Sequence, residues 1–193
     1  MIEFKPDISK EELLLLPTCA FEGEIIVIDS YSNLNLFTEA VAHTQVLGFD
    51  TETKPNFRKG ALNPVALLQL ATLDTSFLIR INHIKLPKPV VDVLENPNIL
   101  KIGVAIRDDI KALQKISAFQ PNSFLDLQKY VKEFGIEANS IKKIAGIVLQ
   151  SRVSKSQQLT DWEAPNLSDA QKKYAATDAW VCYQIYATLQ NHH

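Results

Sequence analysis

The sequence predicts an α/β domain with a mixed central sheet. Two observations lead there: short apolar, β-rich runs crowd the first half of the chain, and helical periodicities lie between and after them. With 193 residues there is enough chain for a substantial core, and residues 1–193 are expected to form one domain. A hydrophobic content of 46% with 22% charged residues argues against disordered and fibrous classes. The net charge of −2 excludes a broadly basic surface, so any nucleic-acid contact must use a local patch. Cys19 and Cys182 are the only cysteines, and Cys182 lies in an apolar helical run as a small core residue, which argues against a disulfide framework and against a zinc site. No apolar run reaches the roughly 18 residues of a membrane span, and no membrane partner is expected. A cytoplasmic location is the default expectation.

Each element has a local reason. "SKEELLLLP" predicts a short helix from Ser9 that stops at Pro17. "GEIIVIDS", Gly23 to Ser30, reads as a strand, and Asn33 to His43 as a helix. The apolar run Val46–Phe49 makes the next strand, closed by the turn chemistry of "TKPN". "PVALLQLATLDTSFLIRI" reads as two strands joined by a turn at Leu73–Thr75. Pro89 to Leu94 is a helix candidate, and "NILKIGVA" is a buried strand ending near Ala105. Helices are predicted over Ile106–Ile116, Leu127–Phe134, Ile141–Leu149 and Ser168–Leu189. Ser168 with Gln171 has the spacing of a capping box at the start of the last one.

The acids are placed oddly for a soluble surface. Side chains alternate along a strand, so Asp50 and Glu52 in "GFDTET" face one way and Thr51 the other. Two like charges at the end of a buried strand repel and lose water, and something must offset that. In "KIGVAIRDDIKALQ", a step of about 100° per residue makes Ile106, Ile110 and Leu113 one apolar stripe. Asp109 falls near that stripe, while Asp108 falls on the opposite face, within reach of Lys111 and Lys115. In "YAATDAWVCYQIYATL", Tyr174 and Asp178 stand four apart on one helix face, which Val181, Cys182, Ile185 and Leu189 continue. Singly, each acid is most simply a cap or a solvated charge. Together, Asp50, Glu52, Asp109 and Asp178 face inward with no basic residue beside them in the sequence. Hard divalent cations with oxygen ligands require that arrangement, and two such ions a few ångströms apart stabilise a phosphoryl displacement.

"GFDTET", "GVAIRDD" and "YAATDA", in this order and spacing, resemble the three motifs of the DEDD exonuclease superfamily. The resemblance spans roughly Gly23 to Leu189 and includes "NPVALLQLAT" and "DWEAPNLSDAQKKYAATDA". It is to the tyrosine-bearing branch, the ribonuclease D and Werner-type 3′→5′ exonucleases. The histidine-bearing branch has its His five residues before the final Asp, where this chain has Lys173, whereas Tyr174 is four before. The resemblance implies an RNase H-like exonuclease fold with helices around a mixed sheet. It implies two divalent ions, Mg²⁺ or Mn²⁺, held by Asp50, Glu52, Asp109 and Asp178, with Asp50 bridging both. Tyr174 would hydrogen-bond the attacking water, and the products would be nucleoside 5′-monophosphates. The implied partners are single-stranded or recessed 3′ ends of DNA or RNA. Ala105, four before Asp109, stands where many relatives carry a polar residue.

Basic residues supply the candidate substrate grip. "KPNFRKG" carries Lys54, Arg58 and Lys59 around Phe57, suited to phosphate contacts and base stacking. A solvated loop is the plainer alternative. Lys142, Lys143, Arg152 and Lys155 precede the last motif and have the charge to track a nucleic-acid backbone, although such runs often only solvate a helix face. Two other functions compete. One is a nucleic-acid-binding module that keeps the fold without activity. The other reads "DTET" as a haloacid-dehalogenase-like phosphatase motif, in which Glu52 replaces the expected aspartate and Tyr174 with Asp178 goes unexplained.

Overall fold

The computed structural model describes residues 4–56 and 63–192. In chain order the elements are α1 (Lys10–Leu15), β1 (Glu24–Ile28), α2 (Leu34–Val41), β2 (Val46–Thr53), β3 (Val65–Ala71) and β4 (Thr75–Arg80). They continue with α3 (Ile81–Ile84), α4 (Lys88–Glu95), β5 (Leu100–Gly103), α5 (Arg107–Gln114), β6 (Phe124–Asp126), α6 (Leu127–Tyr130), α7 (Ile141–Val148) and α8 (Asp169–Gln190). The strands form one mixed sheet in the order β1-β4-β3-β2-β5-β6. β2, β3 and β4 run as an antiparallel meander, while β1 joins β4, β5 joins β2 and β6 joins β5 in parallel. This is the α/β mixed sheet flanked by helices that the sequence predicts.

Alternation sorts the strand residues onto two faces. Leu47 and Phe49 of β2, Leu68 and Leu70 of β3, and Phe77 and Ile79 of β4 join α2 and α4 side chains such as Phe37 and Val90 in one buried cluster. The other face is covered by α8. That 22-residue helix starts at a capping box in which Ser168 accepts from the Gln171 N–H and Gln171 accepts from the Ser168 N–H. Small residues at Ala175, Ala176 and Ala179 let it lie close on the sheet. Gly48 is required where the two meet, because a Cβ there would stand 1.8 Å from the Ala179 carbonyl oxygen. No described helix is long and apolar enough to cross a membrane.

Three local expectations change. β6 is a three-residue strand that the sequence analysis missed, too short to show alternation. The helix expected over Leu127–Phe134 divides into α6 and a 3₁₀ turn over Val131–Phe134, stopped at Gly135 in the left-handed conformation (φ 75°). Ile81, read as strand, begins α3. Ala105 adopts φ 58° at the passage from β5 to α5, where its N–H donates to Asp126 Oδ1 at 3.0 Å. A left-handed alanine costs about 1 kcal/mol, which a residue without a Cβ avoids.

Candidate active site

The end of β2 and the second and third turns of α8, which carry Tyr174 and Asp178, meet at the acidic cluster. Asp50 and Glu52 leave β2 on the α8 side, where Asp178 of α8 stands beside them and accepts a hydrogen bond from the Tyr174 hydroxyl. One carboxylate oxygen from each of Asp50, Glu52 and Asp178 lies within 4.8 Å of the others. These three hard oxygen donors, in a group this tight, fit a divalent cation. Asp109 lies outside that group. Its Oδ1 accepts a short hydrogen bond from Thr51 Oγ1, the β2 residue that faces away from Asp50. It remains near enough for its charge to push up the pKa of both Asp50 and Glu52. Asp109 is half-buried and Asp108 exposed, as the helical phase of α5 predicts.

The electrostatics are those of unpaired like charges. Burial first, then the charges of Asp178 and Asp109, hold the Asp50 carboxyl well above the usual range. Burial and then Asp50 raise Glu52 to about 9. Burial also raises Asp109, against the opposing Thr51 hydrogen bond. Asp178 rises only to about 7, because the Tyr174 hydroxyl and the lysines 155 and 142 favour its ionised form. Those two lysines correct the expectation that no base stands near: the fold brings them from α7 and the segment after it. Burial and the adjacent Asp178 and Glu52 charges push the Tyr174 phenol up, so it keeps its proton.

A cavity of about 200 Å³ opens over this group, lined by Asp50, Glu52, Lys142, Lys155, Tyr174 and Asp178 among others. A neighbouring cavity of about 210 Å³ shares Tyr174 and Asp178 and is walled by Thr18, Cys19 and Ala20. That N-terminal wall went unread in the sequence. It is pinned by the bridge of Thr18 to Arg152 and by the Phe21 N–H, which donates to Thr177 Oγ1 at 3.0 Å. No local pattern announces a pairing between segments so far apart.

Lys54, expected to grip substrate phosphate, meets Asp161 Oδ2 at 3.0 Å and Glu163 Oε2 at 3.6 Å. It therefore ties the end of β2 to the loop before α8. The same loop is held by Gln171 Nε2, which donates to Thr160 Oγ1 and the Asp161 carbonyl, and by Arg80 Nη2, which donates to the Ala164 carbonyl. Between these tethers Trp162 is fully buried, its ring 5.9 Å from that of Tyr174. Phe57, Arg58 and Lys59 lie outside the described residues. Lys155 is exposed on the cavity rim.

The comparisons with known proteins agree with this geometry. A family profile described as 3′-5′ exonuclease matches residues 25–193. The exonuclease mut-7 homolog of Aedes aegypti is 27% identical over 88% of this chain. The mouse bifunctional 3′-5′ exonuclease/ATP-dependent helicase WRN is 29% identical over 91% of it. The matched segment spans 27% of the first relative and 13% of the second. Among solved structures, the Aedes aegypti Nibbler EXO domain superposes with a TM-score of 0.79 at 24% identity, covering 90% of this chain and 92% of that one. Escherichia coli RNase D gives 0.77 at 24% identity over 87% of this chain and 44% of its own. These structures share the RNase H-like exonuclease fold. A profile match running from β1 to the C-terminus makes this chain a member of the 3′-5′ exonuclease family of hydrolases.

Proposed function

We propose that residues 1–193 act as a single metal-dependent 3′→5′ exonuclease domain, hydrolysing phosphodiester bonds at nucleic-acid 3′ ends and releasing nucleoside 5′-monophosphates. The observation that carries this reading is the convergence of Asp50, Glu52 and Asp178 within 4.8 Å, beside a protonated Tyr174. Asp50, Glu52 and Asp178, with Asp109 at the edge, are the proposed ligands of two Mg²⁺ or Mn²⁺ ions. Bound there, the ions would supply the positive charge that offsets the carboxylates and the charge developing on the phosphoryl group.

The protein's own residues supply position. Tyr174 keeps its hydroxyl proton and orients the attacking water by hydrogen bonding rather than by taking its proton. Trp162 packs against that ring, with the centroids 5.9 Å apart. Lys142 and Lys155 line the same cavity as the acids, so a phosphate bound there meets charge of both kinds. Phe57, Arg58, Lys59 and Lys155 are the proposed nucleic-acid contacts, on single-stranded or recessed 3′ ends. Among the structural relatives, a Trypanosoma brucei RNase D is solved in complex with RNA U12.

The test is one degradation assay on matched single- and double-stranded DNA and RNA, with Mg²⁺, Mn²⁺ or chelator. Mononucleotide release from the 3′ end with a divalent ion, absent with chelator, is expected. Binding without release under every metal would replace the reading with an inactive binding module.

A further inference from the structure

Directly across the sheet from Asp50 stands a residue that the proposed chemistry does not use. Gln69 of β3 is the register partner of Asp50 in the antiparallel pair, so both side chains leave the sheet on the α8 side. Gln69 is 0% exposed, yet neither its Nε2 nor its Oε1 has a hydrogen-bond partner among the described residues. A second polar side chain on this face shares the condition. Ser76 of β4, diagonal to Gln69 through the Ala71 pair, is also 0% exposed with its Oγ unpartnered. Leaving such groups unpaired costs about 1–3 kcal/mol each, and a core leucine in place of Gln69 would avoid it.

Asp50 has the complementary need. Its Oδ1 accepts from the Thr51 N–H at 2.9 Å, and it stands half-buried beside Glu52 and Asp178. Side chains opposed in an antiparallel pair have Cβ atoms about 5 Å apart, within the reach of a glutamine amide. A rotamer change at Gln69 turns Nε2 to Asp50 Oδ2. The same rotation presents Oε1 toward the diagonal Ser76 hydroxyl, which then donates to it. One rearrangement satisfies all three orphaned atoms in a single chain, Ser76 Oγ–H to Gln69 Oε1 and Gln69 Nε2–H to Asp50.

We infer that Gln69, backed by Ser76, is a positioning residue that holds the Asp50 carboxylate in its metal-binding orientation. This rests on the functional reading above. Gln69 touches neither substrate nor ion. It acts through Asp50, as hydrogen-bonded partners behind metal ligands do, and losses of about 10- to 100-fold in metal affinity or activity are typical when such partners are removed.

Gln69→Leu keeps the volume and removes the amide, and Gln69→Met does so without branching should the first variant fold poorly. The readouts are kcat and KM, together with the Mn²⁺ concentration giving half the maximal rise in melting temperature, which needs no substrate. The inference expects kcat to fall about tenfold or more at unchanged KM and the Mn²⁺ midpoint to rise by a similar factor. Ser76→Ala should shift the Mn²⁺ midpoint less, and should add nothing in the Gln69→Leu background. An active wild type whose Gln69 variants keep both kcat and the Mn²⁺ midpoint overturns the inference and leaves the exonuclease reading standing. A wild type that shows the Mn²⁺ shift without nuclease activity, with the shift weakened by Gln69→Leu, sinks the exonuclease reading and upholds the positioning role. A wild type with neither activity nor shift sinks both.

Discussion

On one face of the sheet Leu47, Phe49, Leu68, Leu70, Phe77 and Ile79 close against α2 and α4, while one step along the same strands Asp50, Glu52, Gln69, Ser76 and Arg80 turn toward α8. The first face also buries a charge, but a satisfied one: Lys101 Nζ donates to the Asn96 and Ile99 carbonyls at 2.9 and 2.7 Å and stands over the Phe124 ring. On the α8 side the carboxylates crowd together, and the buried side-chain atoms left without partners among the described residues, on Gln69, Ser76 and Trp162, all lie there. The apolar face supplies stability. The α8 face gives some of it up to hold chemistry, which is where proteins tolerate unpaired polar groups.

The largest expected effect separates the two faces at adjacent residues. Asp50→Asn should lower exonuclease turnover by roughly 10³-fold, the equivalent of several kcal/mol of lost charge stabilisation. It should leave the metal-free fold as stable as before or more so, because it removes a charge held under repulsion. Phe49→Ala, next door, should cost about 3–5 kcal/mol of stability, since Phe49 is buried edge-on against Phe124. Its activity per folded molecule should stay near that of the wild type. Turnover assays and denaturant titrations of both variants check this, and equal stability losses would break the distinction between the faces.

A smaller effect lies on α5. Asp109→Asn should reduce turnover about 10- to 100-fold, because it removes the charge of a proposed ligand, although its amide oxygen can still accept from Thr51. Asp108→Asn should stay near wild type, since that side chain is exposed. Reversed effects would mean that Asp108, not Asp109, serves the site.

The two faces also differ in how much the sequence discloses. The apolar, β-rich runs "VALLQLA" and "TSFLIR" predict β3 and β4, and the capping box with the Tyr174–Asp178 spacing places the last helix. Alternation also sends Asp50 and Glu52 to one side. Long-range pairing is what stays hidden. Nothing local to Lys54 announces Asp161 and Glu163 as its partners, nothing near Thr18 announces Arg152, and Lys142 and Lys155 approach Asp178 only through the fold. Gln69 sits in an apolar run whose alternation is uninformative because every residue of β3 is buried.

Titration should show the α8 face as a pH-dependent liability. Glu52 is raised from 4.5 to about 9 and Asp178 from 3.8 to about 7, with Asp50 and Asp109 raised too. A folded pKa above the unfolded one contributes stability that is complete below the unfolded value and is lost as pH rises through the folded value. The metal-free melting temperature should therefore fall between about pH 5 and pH 9. Mn²⁺ binds the ionised cluster, so its stabilising shift should grow over the same interval and be small at pH 5. A metal-free curve that rises across this interval would contradict the crowding of the carboxylates.

The smallest effect sorts the lysines around the site by what they touch. Lys54 is committed to Asp161 and Glu163, whereas Lys155 stands on the cavity rim with no ion pair among the described residues. A lysine that contacts phosphate displaces a counterion, so binding of a single strand weakens with salt by a slope of about 0.7 per contact. Measured in the Asp50→Asn background, where the strand is bound but not degraded, Lys155→Met should make that slope shallower by about 0.7 and weaken binding uniformly across sequences. Lys54→Met should leave the slope unchanged, because its charge is neutralised within the protein and no counterion is released at that position. Its consequence should appear instead in the loop it tethers, as faster amide hydrogen exchange around Asp161 to Ala164, where the Lys54 link to the β2 end is lost. Titrations at a series of salt concentrations decide the matter. A slope that drops for Lys54→Met would return that residue to the substrate and make its ion pairs a resting state broken when the strand arrives.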